Sequence, residues 1–197
     1  QTFPADTANS IQTISTIKYF VRSGLNVELI FPNRNISSSD NIKVLQNMTG
    51  STPAAFGNPS KGAELTRSQM EAGADVIFAA AGGTGNGVYQ AAADAGKYAI
   101  GVDSNQNHLH PGTMLTSMVK RVGEATYQSY MSAKAGTWTP GVQVMGLAEG
   151  GVDWALDEHN RGLVTNQMEA RVNDVKAKII AGDIVVHDYM SDNTCNY

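Results

Sequence analysis

Little in this chain supports covalent, metal or nucleic-acid chemistry. There is one cysteine, Cys195, close to the C-terminal end, so no internal disulfide can form and Cys195 is either a free thiol or a link between chains. Long Lys/Arg runs are missing, and a net charge of −4 with a pI near 5.5 leaves no basic footprint for nucleic acid or an anionic membrane. No apolar run reaches membrane-spanning length. Neither GK[ST] nor GxSxG occurs, and Cys195 has only His187 as a prospective base, so nucleophilic catalysis finds no support. His108 and His110 lack a Cys, Asp or Glu cluster at ligand spacing and read as loop histidines. No catalytic residue, metal or cofactor is therefore expected.

What is present is a core-forming composition. Hydrophobic residues make up 42% of the 197 and charged residues 16%, which suits one globular domain or two small lobes. A chain beginning at Gln1 rather than Met is compatible with a processed, exported product. The sequons at Asn35 and Asn47 matter only in a eukaryotic secretory setting.

Apolar positions from Ile11 to Val21 predict an amphipathic helix ending at Ser23-Gly24, followed by a strand over Asn26–Phe31. Residues 32–40, PNRNISSSD, are the most loop-like segment, and we read 1–41 as an N-terminal helix–strand segment and linker. Asn41–Met48 reads as a strand, Thr49–Asn58 as a loop, and Pro59 as the opening of a helix running to Gly73. Strands follow over Val76–Ala81 and Tyr98–Val102, with a helix between them ending at Ala95-Gly96. The β-α-β-α-β order predicts an α/β fold with a doubly wound, mostly parallel sheet. Thr113–Val119 is one more strand, and Val122–Ala135 a helix stopped by Gly136. We place the main lobe at 42–140. From 141 to 197 the texture suggests a hairpin around Gly150-Gly151, a helix over Asn166–Ile180 with Gly182 after it, and a last strand over Ile184–His187.

Everything centres on Asp75–Gly87, DVIFAAAGGTGNG. A continuous apolar run of strand length gives way to glycines and then to an Ala-rich helical stretch. In open α/β sheets the crevice beyond the carboxyl ends of the strands takes the ligand, and glycines let backbone N–H groups approach it. The turn lacks the third glycine of a dinucleotide fingerprint, so the alternatives are a ligand-cradling turn, with Gly82 and Gly83, or a tight turn that only needs positive φ. Asp103, at the end of the next strand, is placed to accept hydrogen bonds from a pair of vicinal ribose hydroxyls or to serve as a turn aspartate. Lys120 either reaches the same crevice, to bond a ligand or pair with Asp103, or is a solvated lysine. Phe56 either stacks on a planar ring or covers the core beneath its loop.

Six segments in order, NPSKGAEL, GADVIFAAAGGTGNGV, AGKYAIGVDSNQ, GTMLTSMVKR, GLAEGGVDWAL and KIIAGDIVVHDYM, resemble the basic membrane protein (BMP) family. These are ABC-transporter substrate-binding lipoproteins, the purine-nucleoside-binding group of type I periplasmic binding proteins. The resemblance covers about Ile42 to Tyr189. It implies Rossmann-like lobes closing on a nucleoside, with ribose held by Gly82 or Gly83 and by Asp103, Lys120 assisting, and Phe56 facing the base. It further implies a non-enzymatic, extracytoplasmic protein (periplasmic, cell-surface or secreted) delivering adenosine, inosine or guanosine to a transporter permease. Residues 1–41 lack the nucleoside motifs of the family's N-terminal lobe, so the second lobe is expected to be incomplete. Two expectations follow: a homo-oligomer or partner chain that supplies the missing wall, or, as the alternative function, a self-assembling structural protein that has lost nucleoside binding.

Overall fold

The computed structural model describes residues 52–186 and, ahead of them, the strand segments 27–30 and 46–47. Six strands form one sheet in the order β2-β1-β3-β4-β5-β6: β1 Val27–Ile30, β2 Gln46–Asn47, β3 Val76–Ala79, β4 Tyr98–Asp103, β5 Met114–Lys120 and β6 Val152–Trp154. The first five are mutually parallel and β6 is antiparallel to β5. The order reverses between β1 and β3, which marks the switch point of a doubly wound sheet. The helix expected over 11–24, the loop 32–40, and His187 and Cys195 lie outside the described residues.

Alternation along β3 divides the core. Ile77 and Ala79 pack with Val88, Tyr89, Ala92, Ala99 and Met114 under α1 (Pro59–Glu71) and α2 (Gly85–Asp94). Val76 and Phe78 face the other way, onto Ile100, Val102, Leu115 and Val172, the last from α4 (Asn166–Ala181). Both faces of the sheet are thus covered, which is why its strands read as unbroken apolar runs. Local chemistry fixes the helix ends: Asn58 Oδ1 accepts the Lys61 N–H at 3.0 Å with Pro59 in the first turn, while Gly182 ends α4 at φ 81°.

The carboxyl edge of the sheet is where expectation and structure part. The helix after the glycine turn begins at Gly85, inside the glycine stretch, because Gly85 and Gly87 serve contact rather than turning. A Cβ at Gly87 would run into the Pro59 carbonyl, so α1 and α2 meet backbone to backbone. The positive φ falls on Gly82, at 54°, and not on Gly83. The hairpin around Gly150-Gly151 does not form: residues 142–146 carry no strand, and β6 instead pairs with β5, Val152 opposite Lys120. Ile184–Val186 is likewise not a strand; Gly182 turns the chain and the Ile184 N–H bonds back to the Lys178 carbonyl at 3.2 Å.

Between β5 and β6 the chain makes an excursion from the carboxyl edge and returns beside its starting point. It holds α3 (Val122–Ala135), ended by Gly136 at φ 71°, and an irregular return. None of residues 121–150 is buried.

Candidate functional site

The site is assembled from three consecutive strand ends. After β3, Gly82–Thr84 form a 3-10 turn that lies against a second one, Pro53–Gly57. Thr84 holds the two together. It is fully buried, its Oγ1 donates to the Ala55 carbonyl at 2.6 Å, and it accepts the Asn58 N–H at 2.8 Å. Phe56 is thereby set on the glycines: a Cβ on Gly82 would stand 3.4 Å from the Phe56 Cβ and Cδ1, and one on Gly83 3.3 Å from its carbonyl oxygen. Phe56 as a residue stays 40% exposed. A partly exposed aromatic face beside backbone N–H groups at a helix start can offer stacking and hydrogen bonds to one planar, polar ligand.

The next two strand ends supply charge. Asp103 closes β4 and Lys120 closes β5, and they meet, with Lys120 Nζ 2.8 Å from Asp103 Oδ1. Both remain partly open, at 51% for the Asp103 side chain and 30% for Lys120, which leaves the carboxylate able to accept further bonds. Asp103 has φ 70°, the one positive value at a non-glycine among the described residues. The Ser104 N–H donates to the Val102 carbonyl at 2.9 Å, closing a γ-turn around Asp103. That conformation is rare for an L-residue and costs about 1–3 kcal/mol.

Beneath both halves lies Tyr89 of α2, fully buried. Its hydroxyl donates to Gln106 Oε1 at 2.8 Å, and a Cβ on Gly85 would come within 2.8 Å of it. Burial above all, and then the nearby Asp103 charge, push the phenol well above its ordinary range, so Tyr89 acts as a neutral donor. The loop after Asp103 is fastened to the loop after β6. Ser117 Oγ donates to Asn107 Oδ1 at 2.8 Å, and Asn107 and Asn105 both donate to Asp157 Oδ2, at 3.0 and 2.6 Å.

Gly82, Gly83 and Phe56 thus form one group, and Asp103 with Lys120 a second at adjacent strand ends. Gln106, Tyr89 and Thr84 were not predicted, although Gln106 stands in the GVDSNQ segment. His108 and His159 approach, with ring centroids 6.3 Å apart, but no group of three metal-ligating side chains occurs among the described residues. Among those residues no helix is long and apolar enough to cross a membrane.

Comparison with known proteins bears on family and fold. A CD4+ T-cell-stimulating antigen of Listeria monocytogenes is 35% identical over 148 residues, covering 66% of this chain and 41% of that protein. Basic membrane protein C of Borreliella burgdorferi is 34% identical over 119 residues, 57% of this chain and 32% of that protein. The chain thus matches well under half the length of these relatives. In fold it is similar to an ABC transporter solute-binding protein from Aeropyrum pernix K1, with TM-score 0.64, 19% identity, and coverage of 90% of this chain and 62% of that one. A transcriptional activator of the comK gene from Bacillus halodurans gives TM-score 0.66 at 19% identity, covering 83% and 58%, so this fold is not confined to transport. The family decides more than the fold does: the model described as ABC transporter substrate-binding protein, PnrA-like, matches residues 40–189, and the chain belongs to that family.

Proposed function

We propose that this chain binds a purine nucleoside as the solute of an ABC uptake system, outside the cytoplasm and without catalysing a reaction. A permease then receives the solute. Family membership supports the coarse reading. The observation that carries the finer one is Asp103: a half-open carboxylate at a strand end, held in left-handed backbone and flanked by Lys120. Its two oxygens suit vicinal ribose hydroxyls, the Gly82-Gly83 turn offers backbone groups, and Phe56 offers a face for the base. A charge-assisted hydrogen bond contributes about 1.5–3 kcal/mol, so Asp103→Ala is expected to weaken calorimetric binding of inosine or adenosine by about tenfold or more. An unchanged Kd would remove the ribose role.

A second reading concerns assembly. In the excursion, Val122, Tyr127, Tyr130, Trp138, Val142 and Val144 are each more than half exposed, whereas soluble monomers rarely leave large contiguous apolar patches open. We therefore propose a homo-oligomer in which a second copy covers this surface, with nucleoside binding retained. Light scattering at micromolar concentration is expected to give at least a dimer. A monomer that binds inosine tightly would reject it.

A further inference from the structure

We infer that Gln106 positions Asp103 for the ligand without touching the ligand itself, an inference that rests on the nucleoside reading above. The sheet has a gap beside Asp103. β4 pairs with β3 only as far as Ile100, opposite Phe78, although β4 runs on to Asp103 and stays paired to β5 on its other side. Val102 therefore lacks a strand partner for its N–H on the β3 side, at the very place where the chain must enter the γ-turn at Asp103. Gln106 supplies the acceptor. Its side chain folds back and Oε1 takes the Val102 N–H at 2.8 Å together with the Tyr89 hydroxyl at 2.8 Å. Its own N–H donates to Ser117 Oγ at 3.0 Å.

The strand makes room for this clamp. A Cβ on Gly101 would lie 3.0 Å from both the Gln106 Cβ and Oε1 and 2.6 Å from Ser117 Oγ, so any side chain at 101 displaces the glutamine. Val102 and Ser104 are thus fixed on either side of Asp103, one by Gln106 and the other by the turn's own bond. Without Gln106 the buried Val102 N–H loses its 2.8 Å acceptor and keeps only the Tyr89 hydroxyl oxygen beside it, the segment relaxes toward extended backbone, and the carboxylate leaves its place beside Lys120. Gln106 is a positioning residue: its effect on binding runs through Asp103.

Two cycles built on Gln106→Met test this. With inosine as titrant, the substitution is expected to weaken Kd about five- to tenfold in the parent chain, and by no more than about twofold when Asp103 is already Ala. Losses that multiply would overturn the inference. In ligand-free thermal melts Gln106→Met should lower Tm by about 2–4 °C, and by at most half as much in an Asp103→Gly background, because glycine adopts φ 70° without a clamp. Equal losses in the two backgrounds would overturn the clamp whether or not a nucleoside binds. A parent chain that gives no inosine heat defeats the nucleoside reading, and the positioning role with it, while the melts still decide the clamp. Should Gln106→Met not fold, Tyr89→Phe removes one of the two donors to the same oxygen while keeping the ring. The same two cycles then apply, and the same results support or overturn the clamp.

Discussion

The sheet and the excursion between β5 and β6 draw on similar residues and meet opposite fates. Val76, Ile77, Phe78 and Ala79 are all buried, and β4 and β5 bury most of their residues. Tyr127, Tyr130 and Met131 share one face of α3 at helical spacing, yet each is 40% exposed or more. The difference is one of partners. Strands β3, β4 and β5 have ladders on either side and the sheet has helices on both faces, whereas α3 leaves the carboxyl edge and buries none of its residues. Its base is nonetheless firm. The Arg121 N–H donates to the Gly151 carbonyl at 2.8 Å, and Asp153 of β6 accepts from Arg121 at 3.1 Å and from Lys176 at 2.7 Å. It is on the exposed apolar face of this rooted segment that the proposed second copy would sit.

The largest expected effect sets these regions side by side. Phe78→Ala removes a fully buried ring and should cost about 3–5 kcal/mol in urea unfolding. Tyr130→Ala, on a residue 64% exposed, should fall within about 0.5 kcal/mol when measured dilute. Similar losses would mean that the excursion shares the core, and the contrast would collapse. A Tyr130→Ala loss that grows with protein concentration would sharpen it, because association would then be what buries Tyr130.

Much of the sheet was legible because its signals are local. The strand from Val76, read to Ala81 but ending at Ala79, the helix opened by Pro59, the stops at Gly136 and Gly182, and the delivery of Asp103 and Lys120 by adjacent strands all follow from runs and punctuation. What failed was non-local. VDW after Gly150-Gly151 looks like the second arm of a hairpin, but its partner is β5, across the whole excursion, and no nearby residue announces that. Gln106 was hidden for a related reason: its value lies in an N–H that β3 leaves unpaired, which depends on where another strand stops. Nor does the sequence of α3 reveal its exposure, since an amphipathic pattern names the face to be covered and not the cover.

A smaller effect lies within the glycine turn. A β-branched or methyl side chain is strained at positive φ, and Gly82 has φ 54° with Phe56 packed against it, while Gly83 has neither a positive φ nor any neighbour but the Phe56 carbonyl at 3.3 Å. Gly82→Ala should therefore cost about 1–2 kcal/mol and Gly83→Ala about 0.5 kcal/mol or less, read from thermal melts. Equal losses would shift the constraint from backbone strain to contact with Phe56.

The smallest effect is a pH dependence that belongs to the sheet's rim and not to the excursion. Burial alone would push the Asp157 carboxyl up, but hydrogen bonds from Asn105, the His159 backbone N–H and Asn107 together hold it below its ordinary value of 3.8. A carboxyl depressed in the folded state binds its proton less readily there than in the unfolded chain. Its contribution to stability is thus present above about pH 4 and is lost as pH falls through the lower folded value. Asp157 is only partly buried and solvent screens part of its charge, so the share is small. Asp157→Asn is expected to lower Tm by about 1–2 °C at pH 7, with the gap to the parent chain closing as both are taken from about pH 5 to about pH 3. The gap should close because protonation removes from the parent the charge that the variant never had. A gap that stays constant across that range would mean that the Asn105–Asp157–Asn107 bridge holds the two loops by shape alone, and the acid sensitivity of the rim would have to be sought elsewhere.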